Sequence, residues 1–86
     1  MKRLVTKSVH TRKYQLFLDL LIKARKDAGA TQEEVASRLN RPQSYVSKCE
    51  NGERRIDVIE LLEILDAIEV NPVTFLQKIV RFQGRE

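Results

Sequence analysis

Apolar residues recur along this chain with a helical period. Tyr14, Phe17, Leu18, Leu21 and Ile22 fall at i, i+3, i+4, i+7 and i+8, one face of a helix, and Leu16, Leu20 and Ala24 widen that face. Thr11 is the expected N-cap. Gly29 is the expected stop, at a C′ position where left-handed backbone costs glycine nothing. Thr31 and Glu34 then form an S/T-x-x-E capping box, which predicts a short helix from Gln32 to about Leu39 with Val35, Ala36 and Leu39 inward. Asn40 follows and tolerates a left-handed turn. Pro42 suits a first helical residue, where its missing N–H is no loss, so a third helix is expected from Pro42 to about Asn51. Val46 and Cys49 form its inward stripe, and Gly52 ends it. Asp57 and Glu60 give an acidic start to a fourth helix over 58–69. There Ile59, Leu62 and Leu65 are expected to pack on one side, with Val58, Leu61, Ile64 and Ile68 widening the stripe. A helix this apolar is expected to be mostly enclosed. A fifth helix opens at Asn71-Pro72 and presents Phe75, Leu76, Ile79, Val80 and Phe82. The pattern therefore predicts an all-α domain of five helices with short connections and no strands.

Composition narrows the class. Eighty-six residues suit one small domain with a single core. Net charge is +4, unevenly placed: residues 1–56 carry 13 Lys/Arg against 6 Asp/Glu, and residues 57–86 carry 3 against 6. A basic excess confined to one part points to a polyanion partner on that part. Residues 1–13 hold Lys2, Arg3, Lys7, Arg12 and Lys13 with no acid and no period. They read as a flexible basic arm that could track phosphates or enter a minor groove, or as an unstructured terminus. The helical domain is expected over 14–82, with 83–86 as a tail. One cysteine and one histidine exclude an internal disulfide and any Cys/His zinc set, so no metal or cofactor is expected. Glu60, Glu63, Asp66 and Glu69 recur every three residues and suit a solvated strip better than paired catalytic carboxylates. His10 has no partner set, and Cys49 suits a small buried hydrophobe better than a redox site. An enzyme is not expected. No apolar run reaches the roughly 18 residues of a membrane span, and no secretory h-region is present. A cytoplasmic protein is expected, one that a lone thiol suits.

Two short helices about three residues apart, flanked by longer apolar ones, have the helix-turn-helix arrangement. In it the second helix lies in the major groove and the first crosses the backbone. The particular letters go further. Arg25, Gly29, TQEEVA at 31–36, Leu39, SYVSKCENG at 44–52, the Arg54-Arg55 pair and Asn71-Pro72 resemble the Cro/CI-type (lambda-repressor-like) helix-turn-helix family. The resemblance covers residues 14–80 and implies a five-helix lambda-repressor-like DNA-binding fold. Asn40 in place of the usual turn glycine, Pro42, and Cys49 in place of a larger aliphatic residue depart from the pattern.

The resemblance implies roles residue by residue. Gln43, Ser44, Ser47 and Lys48 are the base-reading candidates, and the chemistry suits them. Gln pairs with adenine N6/N7, Lys bonds guanine O6/N7, and Ser serves either. Gln32, Arg38, Arg41, Tyr45, Asn51, Arg54 and Arg55 are the phosphate candidates, with the backbone amides of Asn51 and Gly52 in the phosphate-binding turn. Phosphate contacts supply affinity and salt dependence more than sequence choice. Glu50 would repel DNA unless neutralised, and a partly buried Arg25–Glu50 pair is implied. The expected function is sequence-specific binding of double-stranded DNA as a dimeric repressor on a pseudo-palindromic operator. Leu76, Ile79, Val80 and Phe82 are the dimer candidates. An antitoxin that also holds a toxin, or a protein-interaction module of the same fold, are the rival expectations. No ligand-binding domain is expected in this chain.

Overall fold

The computed structural model describes residues 11–83. Five helices follow one another: α1 Arg12–Asp27, α2 Gln32–Leu39, α3 Gln43–Glu50, α4 Val58–Ala67 and α5 Pro72–Gln83. No strand occurs among the described residues. Arg12 and Lys13, expected in the arm, are already helical, because Thr11 caps α1 by accepting from the Tyr14 amide at 3.0 Å. Residues 1–10 of the expected arm, His10 included, and tail residues 84–86 lie outside the described residues.

The helix ends follow local chemistry. Thr31 and Glu34 close their capping box on α2, at 3.0 and 2.9 Å. Asp57 and Glu60 form a second such box on α4, beyond the acidic start expected of them. Asn71 Oδ1 accepts from the Val73 and Thr74 amides at the start of α5. Asn40 adopts the left-handed conformation (φ 58°), and the amide of Arg41 reaches back to the Ala36 carbonyl. Pro42 is the N-cap of α3, one place before the position expected, and Gln43 opens the helix. Helix α4 stops at Ala67, two residues early, because Glu69 turns left-handed (φ 60°). Its amide and that of Val70 bond the carbonyls of Asp66 and Leu65 in a Schellman closure.

The core is assembled from all five helices. Leu18 and Leu21 of α1, Val35 and Ala36 of α2, Val46 and Cys49 of α3, Leu61, Ile64 and Leu65 of α4 and Phe75 of α5 are buried together. Helix α1 packs on α3 and α5, and α2 packs on α3 and α4. Tyr14, Phe17 and Phe75 form an aromatic run from α1 to α5, with ring centroids 5.3 and 6.1 Å apart. The Tyr14 hydroxyl accepts the Ile56 amide at 3.0 Å, which pins the α3–α4 connection to the start of α1.

Helix α4 is not enclosed as expected. Leu61, Ile64, Leu65 and Ile68 face inward, while Val58 (62% exposed), Ile59 (60%) and Leu62 (41%) face out. It leans mainly on α2, so one side of an apolar helix has no neighbour among the described residues. Of the dimer candidates, Leu76 and Val80 stand on the outer face of α5, and Phe82 is exposed near its end. Ile79 is half-buried and packs against the core, so only part of that set is free.

Candidate nucleic-acid interface

Helix α3 divides by face. Tyr45, Val46, Cys49 and Glu50 are buried. Gln43, Ser44 and Lys48 are exposed and Ser47 is half-buried, all on the outward side, so the four base-reading candidates share one surface. With Pro42 as N-cap, no side-chain hydrogen bond closes the α3 N-terminus.

Glu50 is what locks the helix to its neighbours. Arg25 Nε donates to Glu50 Oε2 at 2.6 Å and Arg25 Nη2 donates to Oε1 at 3.0 Å, a bidentate pair between α1 and α3. The third nitrogen, Nη1, donates to the Ala30 carbonyl at 2.9 Å. The side chains are only 11% and 8% exposed, so the expected partly buried pair is present. Gln32 Nε2 also donates to Glu50 Oε1, at 2.9 Å. Gln32 Oε1 in turn accepts a long 3.4 Å contact from Gln43 Nε2. Gln32, expected on a phosphate, therefore has its amide engaged between the ion pair and the first base-reading candidate.

The basic residues sort differently from expectation. Tyr45, a phosphate candidate, is buried, with the Arg41 guanidinium 4.4 Å and the Arg54 guanidinium 5.0 Å from its ring centroid. Burial, and then the nearby Cys49 and Glu60, push its phenol pKa up, so it stays neutral. Arg54 is itself held by Glu60, Nη2 to Oε2 at 2.8 Å and Nη1 to Oε1 at 2.9 Å. That hydrogen bonding raises the Arg54 pKa and lowers that of Glu60, which also accepts the Asp57 amide. Much of the Arg54 charge is thus answered inside the protein. Arg38 donates to the Ala67 carbonyl at 2.7 Å. It serves the C-terminal end of α4, where a cation is favoured, in a groove beside Glu63, Asp66 and Glu69 rather than a phosphate track. The phosphate turn expected at Asn51 and Gly52 is also occupied. Their amides bond the Ser47 and Cys49 carbonyls, and the Asn51 side chain bonds Glu53.

Arg41, Lys48 and Arg55 remain, exposed and in no salt bridge among the described residues. The Arg55 guanidinium sits 4.5 Å from the centroid of the Tyr14 ring. The surface around α3 thus offers hydrogen-bonding side chains at its centre and free cations about it. Cys49 is fully buried, and burial foremost pushes its thiol pKa up, the opposite of a reactive thiolate. The expectation missed Glu60 as the partner of Arg54. The D-x-x-E spacing of Asp57 and Glu60 was the available signal, since a capping-box carboxylate at N3 sits beside the preceding loop.

A helix-turn-helix family model matches residues 21–75, the later part of α1 through the first turn of α5. The chain belongs to the Cro/CI-type helix-turn-helix family. An XRE-family-like protein from Pseudomonas syringae pv. tomato str. DC3000 is 49% identical, covers 87% of this chain and 92% of its own, and superposes with a TM-score of 0.81. The HTH-type transcriptional regulator y4dJ of Sinorhizobium fredii (strain NBRC 101917 / NGR234) is 43% identical over 49 residues. That match spans 57% of this chain and 64%, under two thirds, of y4dJ. The restriction-modification controller protein C.Esp1396I, solved as a tetramer on its natural 35 base-pair operator, is 25% identical with a TM-score of 0.75, over 84% of this chain and 95% of that one. As a member of the Cro/CI-type helix-turn-helix family, the chain carries its helix-turn-helix on α2 and α3. No helix among the described residues is long and apolar enough to cross a membrane.

Proposed function

We propose that this chain is a transcriptional repressor that binds a pseudo-palindromic operator as a dimer, in the cytoplasm and with no catalytic role. The observation that carries the reading is the division of α3. Its inward residues are all committed to the core or to Arg25, which leaves Gln43, Ser44, Ser47 and Lys48 to meet a groove. Gln43 reads adenine through N6/N7, Lys48 reads guanine through O6/N7, and the serines donate or accept. Arg41 and Arg55 supply phosphate contacts on either side, and Gln32 reaches a phosphate only with the amide proton left over from Glu50. One such helix reads only a few base pairs, and two-fold pairing doubles the site. The operator complex of the related controller protein supports DNA binding by an assembly of chains.

The test is selection of bound sequences from random duplex DNA by the wild type, Gln43→Ala and Lys48→Ala. A two-fold motif is expected, with each variant losing about 1–3 kcal/mol of discrimination at its own position. No motif from the wild type would refute the reading, and a motif unchanged in both variants would refute the residue assignment. Affinity should also fall steeply with salt, and Arg55→Ala should shallow the slope by about one phosphate contact.

A further inference from the structure

Two ion pairs bear on α3, and they differ in exposure. The Arg25 and Glu50 side chains are 11% and 8% exposed, whereas Arg54 is 40% exposed against 14% for Glu60. The Arg54–Glu60 contact is a fork of two bonds, Nη2 to Oε2 and Nη1 to Oε1, and a guanidinium takes a phosphate in the same geometry. Arg54 also stands at the edge of the reading surface. Its amide donates to the Lys48 carbonyl at 3.1 Å. Its guanidinium shares with that of Arg41 the ring of Tyr45, in the first turn of α3. Glu60 is fixed from the other side. As the N3 residue of the α4 capping box, it accepts the Asp57 amide at 3.0 Å through Oε1. The carboxylate is therefore tethered to its own helix, and Arg54 is the long, partly exposed member that can move.

We infer that Glu60 is a positioning residue for DNA binding: its carboxylate occupies Arg54 in place of a backbone phosphate, and so sets how strongly and how salt-dependently this chain holds duplex DNA. The inference rests on the DNA-binding reading above. Arg41 and Arg55 are in no salt bridge and meet phosphates unopposed, while Arg54 reaches one only by giving up both bonds to Glu60. A phosphate that takes over the fork exchanges one anion for another, so little is gained. It also leaves an unpaired carboxylate facing the DNA, a like-charge contact that costs binding. The wild type therefore makes one phosphate contact fewer than the basic residues around α3 could supply. A phosphate contact carries no base preference, so the restraint weakens binding to duplex of every sequence. Sequence choice stays with the outward side of α3, and the strength of the grip is trimmed from α4.

The experiment is fluorescence anisotropy of a labelled random-sequence duplex titrated with the full chain, over about 50 to 200 mM salt. Wild type, Glu60→Gln, Arg54→Ala and the double variant are compared. Glu60→Gln should bind about threefold or more tighter at the lowest salt, and its log–log salt slope should steepen by about 0.9, one phosphate contact. Arg54→Ala should keep the wild-type slope, and the double variant should lose the steepening. A merely structural role for Glu60 predicts the reverse, since a less stable domain binds more weakly and gains no contact. Glu60→Ala, which also loses the capping bond, guards against a folding defect: affinity falls with the folded fraction, but the steeper slope should persist. An unchanged slope in both Glu60 variants overturns the inference. So does a shallower slope in Arg54→Ala, since Arg54 would then already hold a phosphate in the wild type. A double variant as steep as Glu60→Gln also overturns it, because Glu60 would then act on DNA without Arg54. If the slopes behave as expected while random DNA yields no motif, sequence-specific reading fails and the restraint stands. If a motif emerges while the slopes are unchanged, the restraint alone fails.

Discussion

Replacing Arg25 with alanine removes one side chain and three hydrogen bonds, two to Glu50 and one to the Ala30 carbonyl. What is left is worse than a lost contact. The Glu50 carboxylate, only 8% exposed in the intact domain, keeps only the Gln32 amide as a side-chain donor. Breaking a buried pair from one side costs about 3–5 kcal/mol, against a total stability of about 5–15 kcal/mol for a domain. In a domain of this size each kcal/mol moves the midpoint by about 4–8 °C, so the smallest of these losses lowers Tm by about 12–24 °C. Two further variants separate the causes. Arg25→Lys keeps the charge without the fork and should fall between wild type and alanine. Arg25→Met combined with Glu50→Leu removes both charges and should be more stable than Arg25→Ala, because no carboxylate is stranded. Urea and thermal melts followed by far-ultraviolet circular dichroism measure all three. DNA affinity of Arg25→Ala should fall with its folded fraction. An Arg25→Ala melt within about 0.5 kcal/mol of wild type, inside the ordinary range of surface substitutions, would refute the argument.

Tyr14→Phe keeps the ring and strands the buried Ile56 amide. It should cost about 1–3 kcal/mol, and a neutral melt would mean that water replaces the hydroxyl. Glu60 has its carboxyl pKa lowered by Arg54 and the Asp57 amide, so its contribution is complete above the ordinary carboxylate pKa of about 4.3 and fades as pH falls through the lowered folded value. Glu60→Gln, which can still close the capping box, should therefore melt lower than wild type at pH 7, with the gap narrowing in acid. A gap that is constant with pH would show that charge is not the cause. Cys49 should react with a thiol reagent at neutral pH only as fast as the domain opens, and rapid labelling of the native protein would contradict its burial.

What the sequence made legible was mostly local. The Thr31–Glu34 box, the left-handed Asn40 and the limits of α2 depend on residues within one turn of each other, and they stand as read. The inward pair Val46 and Cys49 follows from spacing alone. The Arg25–Glu50 pair is not local, since twenty-five residues separate the two. The oddity of an acid on a basic helix, together with the family resemblance, drew attention to it. The features that were not legible share a cause. Counting apolar residues in α4 showed how much of it prefers burial but not which side has a neighbour. An arginine does not declare its partner. Arg54 finds a carboxylate six residues on and Arg38 a carbonyl twenty-nine residues on, and both depend on how α4 lies against the rest. The burial of Tyr45 was not legible because the arginines that cover its ring come from the turns on either side of α3.

The two faces of α3 also bear on how such a protein could acquire a new operator. Ser44, Ser47 and Lys48 make no side-chain hydrogen bond to any other described residue, so under the proposed reading their replacement redirects target choice while the scaffold is inherited unchanged. Gln43 is different. Its amide touches Gln32, whose other end is fastened to the Arg25–Glu50 lock. A change at Gln43 alters what Gln32 meets, and a change at Gln32 alters how Gln43 is held. Along a lineage, three of the proposed reading positions can drift singly, whereas Gln43 and Gln32 should be exchanged as a pair.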